Sequence, residues 1–324
     1  MRLDFHNPVV LFANAVGDHV IFAPTLRALA ELFPNKITFV SLPNAAPTFF
    51  NEIPLKDVVE LKSKVANLNS WNLGTKPGDI QNFDEERIIP LLKGTDLLIT
   101  PNYWYSSPLD HLINAVSPRV VIGIRPELPI NVFQQKMHSF DQYFCVAKYL
   151  CPELNIEGYA YPIHIQTSTL REMKSFDKNN AKDKKILVVH MDTKKRKRCS
   201  PKLYTEVIEQ FLSIREEFLA VIIGLEHEIE LASLKNRSRI FDFCGYTLTE
   251  SFEIIQKANL FIGIDSCMLH VADLSRIPGI GFFGPTSPLH WGFRFSNHYH
   301  VNFADTQPDA GYVVELLNNL NHIK

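Results

Sequence analysis

With 324 residues and 46% hydrophobic content, the chain is long enough for two cores of about 150 residues each, and its composition excludes a disordered protein. The 33 basic and 35 acidic side chains leave a formal net charge of −2, so no global field favours nucleic acid or an anionic membrane, and any anion site must be local. Five scattered cysteines, Cys145, Cys151, Cys199, Cys244 and Cys267, include no Cys-x-x-Cys pair, which argues against a disulfide framework or structural zinc and fits a reducing cytoplasm. Near the N-terminus, Asp4, His6 and Asn7 stand where a signal peptide needs a basic start and a long apolar run, and apolar runs elsewhere are strand-sized. The expectation is a cytoplasmic chain with no membrane span, for which a peripheral contact with the inner face of the inner membrane stays open.

A first buried strand over 9–13 ends in Ala13-Asn14-Ala15-Val16-Gly17-Asp18, and a helical pattern follows from about Pro24 through Leu26, Leu29, Ala30 and Phe33. Strand, glycine turn and helix make a ligand-facing loop, yet Gly-x-Gly-x-x-Gly is absent, so a dinucleotide-binding fingerprint is unsupported. Asp18 either presents a carboxylate to a ligand or caps the helix, for which Asp is a favoured residue. Strands over 37–42, 97–100 and 120–124 follow. Trp71, Tyr103, Trp104 and Tyr105, also in the first half, serve either sugar stacking or packing. The polar, lysine-rich stretch 166–185, with Asn179 and Asn180, reads as a linker, which divides the chain into domains 1–170 and 171–324.

The second half restarts with strands over 186–191, 219–224, 260–264 and 277–283. Near-continuous apolar strands separated by helical segments predict an α/β protein with parallel sheets covered on both faces, whose ligands bind beyond the carboxyl ends of the strands. At those ends stand Lys194-Lys195-Arg196-Lys197-Arg198, either a solvated surface or a phosphate contact, and Gly224-Leu225-Glu226-His227-Glu228, whose glutamates either bind ribose or favour a helix start. Asp265-Ser266-Cys267-Met268-Leu269-His270 opens a helix whose N–H groups either hold a diphosphate or are simply capped, with His270 packed in its first turns. A closing amphipathic helix over 310–320 belongs to the second domain or crosses back to the first.

Together these segments resemble glycosyltransferase family 9, the bacterial heptosyltransferase family. The stretch 10–29, with Gly17-Asp18, Pro24 and Leu26-Arg27-Ala28-Leu29, resembles the family's N-terminal strand and Gly-Asp loop. Gly224 to Glu228 resembles its Gly-x-x-His-Glu segment, and Phe241-Asp242-Phe243-Cys244-Gly245 to Asn259 resembles the stretch leading to its last sites. Asp265 to His270, followed by Pro278 and Phe283-Gly284-Pro285-Thr286, resembles its Asp-Thr-Gly-x-x-His and Gly-Pro-Thr motifs. The segment 44–169 is unmatched.

The resemblance implies a GT-B fold: two Rossmann-like domains with parallel sheets facing a central cleft, acceptor on the first and nucleotide sugar on the second. It implies Asp18 as general base, with Gly17, Thr193, Lys197, Arg198, Glu228, Asp265, Ser266, Cys267, Met268 and His270 on the donor. Cys267 stands where the family usually has glycine, which is costly if that position needs φ > 0 or a close backbone approach to the diphosphate. Arg198 replaces lysine and Ser200 replaces tryptophan; Arg198 keeps the charge, and Lys197 is a rival for its role. The expected activity is inverting transfer of a heptose-like sugar, ADP-heptose favoured, to a hydroxyl of a glycan, glycolipid or lipopolysaccharide-type acceptor, with no metal, cofactor or nucleic acid. The alternatives are a non-catalytic nucleotide-sugar-binding protein and a sugar-nucleotide epimerase or hydrolase on the same fold.

Overall fold

The structure is a computed structural model that describes residues 4–62, 82–165, 183–304 and 306–322. The chain divides into two compact units, Met1–Ala160 and Tyr161–Lys324. Most of the polar stretch 166–185, and Trp71, lie outside the described residues.

The first unit carries a six-stranded sheet of β1 (Pro8–Phe12), β2 (Thr38–Ser41), β3 (Asp57–Glu60), β4 (Leu97–Thr100), β5 (Val120–Gly123) and β6 (Ile130–Asn131), in the order β3-β2-β1-β4-β5-β6. The second unit carries β7 (Lys185–His190), β8 (Phe218–Gly224), β9 (Ile240–Cys244), β10 (Leu260–Ile264), β11 (Gly279–Phe283) and β12 (His298–Asn302), in the order β12-β11-β10-β7-β8-β9. All pairings are parallel. Counted from its own first strand, each sheet has the doubly wound order 3-2-1-4-5-6, which reverses direction between β1 and β4 and between β7 and β10. Every residue of β1, β4, β8, β10 and β11 is buried, which is why they read as unbroken apolar runs. The α/β, doubly wound architecture expected from the sequence is the one observed.

Helices cover the sheets. In the first unit, α1 (Val16–Leu32), α2 (Ser107–Val116) and α3 (Ser139–Leu150) are the longest described, and α1 packs on α3. Helix α2 is started by Ser106, whose hydroxyl accepts the Leu109 N–H at 3.2 Å, and stops at Ser117 with φ 47°. The second unit has α4 (Pro201–Ile214), α5 (Leu248–Gln256), α6 (Cys267–Leu274) and α7 (Ala310–His322). Helix α4 starts with Pro201 in its first turn and buries Leu203, Tyr204, Val207, Ile208, Phe211 and Leu212, a three-and-four spacing that lays one face on the sheet. Val313, Val314, Leu316, Leu317 and Leu320 of α7 join the core of the second unit.

Two local expectations are corrected. Helix α1 begins at Val16, eight residues before Pro24, and Pro24 lies inside it. A proline there removes one backbone bond, but every residue from His19 to Ala30 is buried, and packing on all sides holds the helix through the defect. No helix forms at Glu226 and Glu228; that stretch is irregular until a short turn at Leu231–Ser233. Among the described residues, no helix is long and apolar enough to cross a membrane.

Candidate functional site

In the first unit the predicted residues lie at the switch point between β1 and β4. Gly17 and Asp18 sit in the first turn of α1 rather than on a loop, and Asp18 is half-buried. Its Oδ2 accepts the Ala15 N–H at 3.2 Å, which is half of a capping box, so the capping role is real. Its Oδ1 accepts the Tyr143 O–H at 2.8 Å, a bond no cap requires. Tyr143 comes from α3, and its own oxygen accepts from Asn14 Nδ2 at 3.0 Å.

The loop after β4 closes this crevice. Asn102, fully buried, accepts the Ala13 N–H at 3.0 Å through Oδ1 and donates through Nδ2 to the Leu11 carbonyl at 3.0 Å, tying β4 to β1. Trp104 donates Nε1–H to the Ala13 carbonyl at 3.3 Å and packs against the core, so its ring is structural, whereas Tyr105 is exposed and Tyr103 is exposed only in part, its phenol oxygen lying in the buried surroundings of Tyr143. The Tyr103 ring centre lies 5.3 Å from that of Tyr143. Burial, and then the Asp18 charge, push the pKa values of Tyr103 and Tyr143 above their ordinary value, so both phenols stay protonated. His19, fully buried, donates from Nδ1 to the Ala15 carbonyl at 3.0 Å, which leaves Nε2 to accept the Ser41 O–H at 3.0 Å. Burial lowers the His19 pKa to about 4, and the ring is neutral.

In the second unit the predicted residues gather at the switch point between β7 and β10. Lys197 Nζ lies 2.6 Å from Asp265 Oδ2, and the Thr193 hydroxyl donates to the Asp265 carbonyl at 3.5 Å, linking the loop after β7 to the loop after β10. The Arg198 guanidinium is held on several sides: Nε–H donates to the Thr193 carbonyl at 3.0 Å, Nη1 to Glu228 at 3.2 Å, and Nη2 to Asp192 and Glu226 at 3.2 and 3.3 Å. The basic run is thus not uniform: Lys194, Lys195 and Arg196 are outside these contacts, and Lys197 and Arg198 point their charge into them. Asp192 also accepts the Leu225 N–H at 3.1 Å. Gly224 is required there, since its φ is +135° and an added Cβ would lie 3.0 Å from the Asp192 Cβ. Asp192, Arg198, Glu226, His227 and Glu228 line a pocket with about 380 Å³ of space, open solvent included.

Ser266 is the N-cap residue of α6 by position, but its side chain makes no cap bond and lies 3.1 Å from His190 Nδ1 instead. His190 is buried, which lowers its pKa to about 3. Cys267 is the first residue of α6 and has no positive φ, so backbone conformation does not call for glycine at this position. Burial pushes its thiol pKa up to about 12. Met268 and His270 are buried within α6.

His227, Asp242 and Cys244 offer three metal-ligand atoms within 4.8 Å of one another. The hydrogen bonds oppose a metal there: the Ile229 N–H donates to His227 Nδ1 at 3.1 Å, which leaves the ring proton on Nε2, where it faces Asp242 Oδ2 at 3.1 Å. A ligating imidazole needs its second nitrogen to be a donor. Asn14, Asn102 and Tyr143 in the first unit, and His190 and Asp192 in the second, are the members that sequence reasoning did not single out; Asn102, Tyr143, His190 and Asp192 each make a bond to a residue more than thirty positions away, a relation that carries no local pattern.

A family model described as glycosyltransferase family 9 (heptosyltransferase) matches residues 131–315, more than half of the chain, a span that includes Tyr143 and the second-unit residues but not Asp18. No curated protein matches the sequence. Among solved structures, a family 9 glycosyl transferase from Veillonella parvula is similar at 17% identity and a TM-score of 0.75, over 99% of this chain and 98% of that one. The E. coli ADP-heptose LPS heptosyltransferase II is similar at 16% identity and a TM-score of 0.68, over 97% and 98%. The E. coli heptosyltransferase WaaC with ADP is similar at 14% identity and a TM-score of 0.66, over 97% and 99%. With a family match over residues 131–315 and two doubly wound parallel sheets of Rossmann type, the chain belongs to glycosyltransferase family 9, the heptosyltransferase family, and is a GT-B glycosyltransferase.

Proposed function

We propose that the chain transfers a heptose-like sugar, with inversion and without a metal ion, from a nucleotide diphosphate donor, ADP-heptose favoured, to a hydroxyl of a glycan or lipopolysaccharide-type acceptor. The observation that carries the reading is Asp18, a half-buried carboxylate at the β1/β4 switch point with both oxygens held by donors. In this reading Asp18 takes the proton of the acceptor hydroxyl as its oxygen bonds to the anomeric carbon. The bond from that carbon to the diphosphate oxygen breaks on the opposite face, and the nucleoside diphosphate leaves with the electron pair.

Negative charge grows on the leaving diphosphate. Arg198, Lys197 and the N-terminal N–H groups of α6, which no Ser266 side-chain bond occupies, are the groups this chain can bring to it. A chain that supplies its own cations and helix dipole has the means to do so without a metal. Glu228 and the neighbouring pocket take the nucleotide, and Thr193, Asp265, Cys267, Met268 and His270 shape the donor site. ADP is favoured because the similar WaaC binds ADP and ADP-2-deoxy-2-fluoro heptose in solved structures. Five free cysteines fit action in the cytoplasm, with the acceptor met at the inner membrane face.

Asp18→Asn tests the reading. With ADP-heptose as donor and heptose-free lipopolysaccharide as acceptor, turnover should fall by about 10² to 10⁴ while ADP affinity stays unchanged. Near-normal turnover of the variant refutes the base assignment. ADP released by the wild type without acceptor would favour a hydrolase instead, and a changed sugar still attached to the nucleotide would favour an epimerase.

A further inference from the structure

We propose that Tyr143 is the positioning residue of the transferase site, holding the Asp18 carboxylate in its working orientation through its phenol O–H. The inference rests on the reading of Asp18 as the base.

Three observations carry it. The Tyr143 O–H donates to Asp18 Oδ1 at 2.8 Å while the Ala15 N–H holds Oδ2 at 3.2 Å, so the two bonds together fix the plane of the carboxylate. The phenol is itself fixed, because its oxygen accepts from Asn14 Nδ2 and its ring packs edge-to-face against the stacked pair Phe12 and Phe22, with centroids at 5.3 and 5.8 Å. Tyr143 is fully buried, whereas the ring alone would pack equally well as phenylalanine. A buried hydroxyl must be hydrogen-bonded to be tolerated, and this one is directed at the half-buried carboxylate rather than at a backbone carbonyl.

The titratable groups around the pair are Tyr103 from the loop after β4, His19 from α1 and Cys145 from α3. Burial and the Asp18 charge keep the phenols of Tyr103 and Tyr143 protonated, burial keeps His19 neutral, and burial and Asp141 raise the Cys145 thiol. Tyr143 is therefore a donor to Asp18 and not a rival base. A donor to the ionised carboxylate favours that form, so its removal should raise the pH at which Asp18 takes up a proton.

The test is Tyr143→Phe, which keeps the ring, assayed with ADP-heptose and heptose-free lipopolysaccharide. Turnover should fall about tenfold or more with KM for the donor within twofold, and the acid limb of the kcat profile should move to higher pH. In an Asp18→Asn background the same change should alter residual turnover less than twofold, because its effect passes through the carboxylate. A Tyr143→Phe enzyme with wild-type turnover and an unmoved acid limb overturns the proposal, as does an equal loss in both backgrounds. If Asp18→Asn abolishes turnover and Tyr143→Phe does not, this inference alone fails; if Asp18→Asn is active, the base reading fails first.

Discussion

Acidification from pH 7 to pH 5 should weaken the first unit through the buried His19 and the second through the buried His190. His19 and His190 have pKa values lowered from 6.5 to about 4 and about 3, in both cases chiefly by burial. For a base with a depressed folded pKa, the fold binds the neutral form, so stability is complete above pH 6.5 and is lost as pH falls towards the folded value. At pH 5 an unfolded imidazole is mostly protonated and a folded one of this kind is not, a difference of about 2 kcal/mol for each residue by the linkage relation. The loss continues to about pH 4 for His19 and about pH 3 for His190. Urea unfolding at pH 7 and pH 5 measures it, with His19→Gln as the comparison. Glutamine can donate to the Ala15 carbonyl and accept from Ser41 without titrating, so the variant should lose about 2 kcal/mol less than the wild type over that range. Equal losses in the two proteins, or a His19 ring resonance that titrates near pH 6.5, would refute the buried neutral imidazole.

Arg198→Ala should weaken ADP binding at least tenfold by calorimetry; if Lys197→Ala does so and Arg198→Ala does not, the diphosphate contact belongs to the lysine that pairs with Asp265. Gly224→Ala puts a Cβ at φ +135° and 3.0 Å from the Asp192 Cβ, which should cost about 1–3 kcal/mol and several degrees of melting temperature, and an unchanged melting temperature would show that the loop relaxes freely.

The sequence separates cleanly into what burial made visible and what it hid. The eight strands expected from apolar runs, from 9–13 to 277–283, are the interior strands of the two sheets, where both faces are covered. The four missed, β3, β6, β9 and β12, are the sheet edges. Their burial is partial, as in Asp57–Glu60, where no residue is fully buried, so nothing selects an unbroken apolar run. Helix α1 was placed too late because Pro24 is a local signal for a helix start, and no local signal reports that twelve consecutive buried residues outweigh it.

The candidate site divides along the same line. Its chain-local parts, Gly17-Asp18, Gly224 to Glu228 and Asp265 to His270, were legible because each follows a strand directly. What was not legible is how the parts hold one another. At the first switch point Asn102 and Tyr143 reach residues more than eighty positions away, and at the second His190 reaches Ser266 and Lys197 reaches Asp265. Doubly wound topology explains the pattern: the strands that flank a switch point are adjacent in space but distant in sequence, so the bonds that join the loops after those two strands are long-range. Asp18 joins the two kinds of contact: its Ala15 bond needs only a residue three positions away, whereas its Tyr143 bond at 2.8 Å exists because α3 is brought to the end of β1.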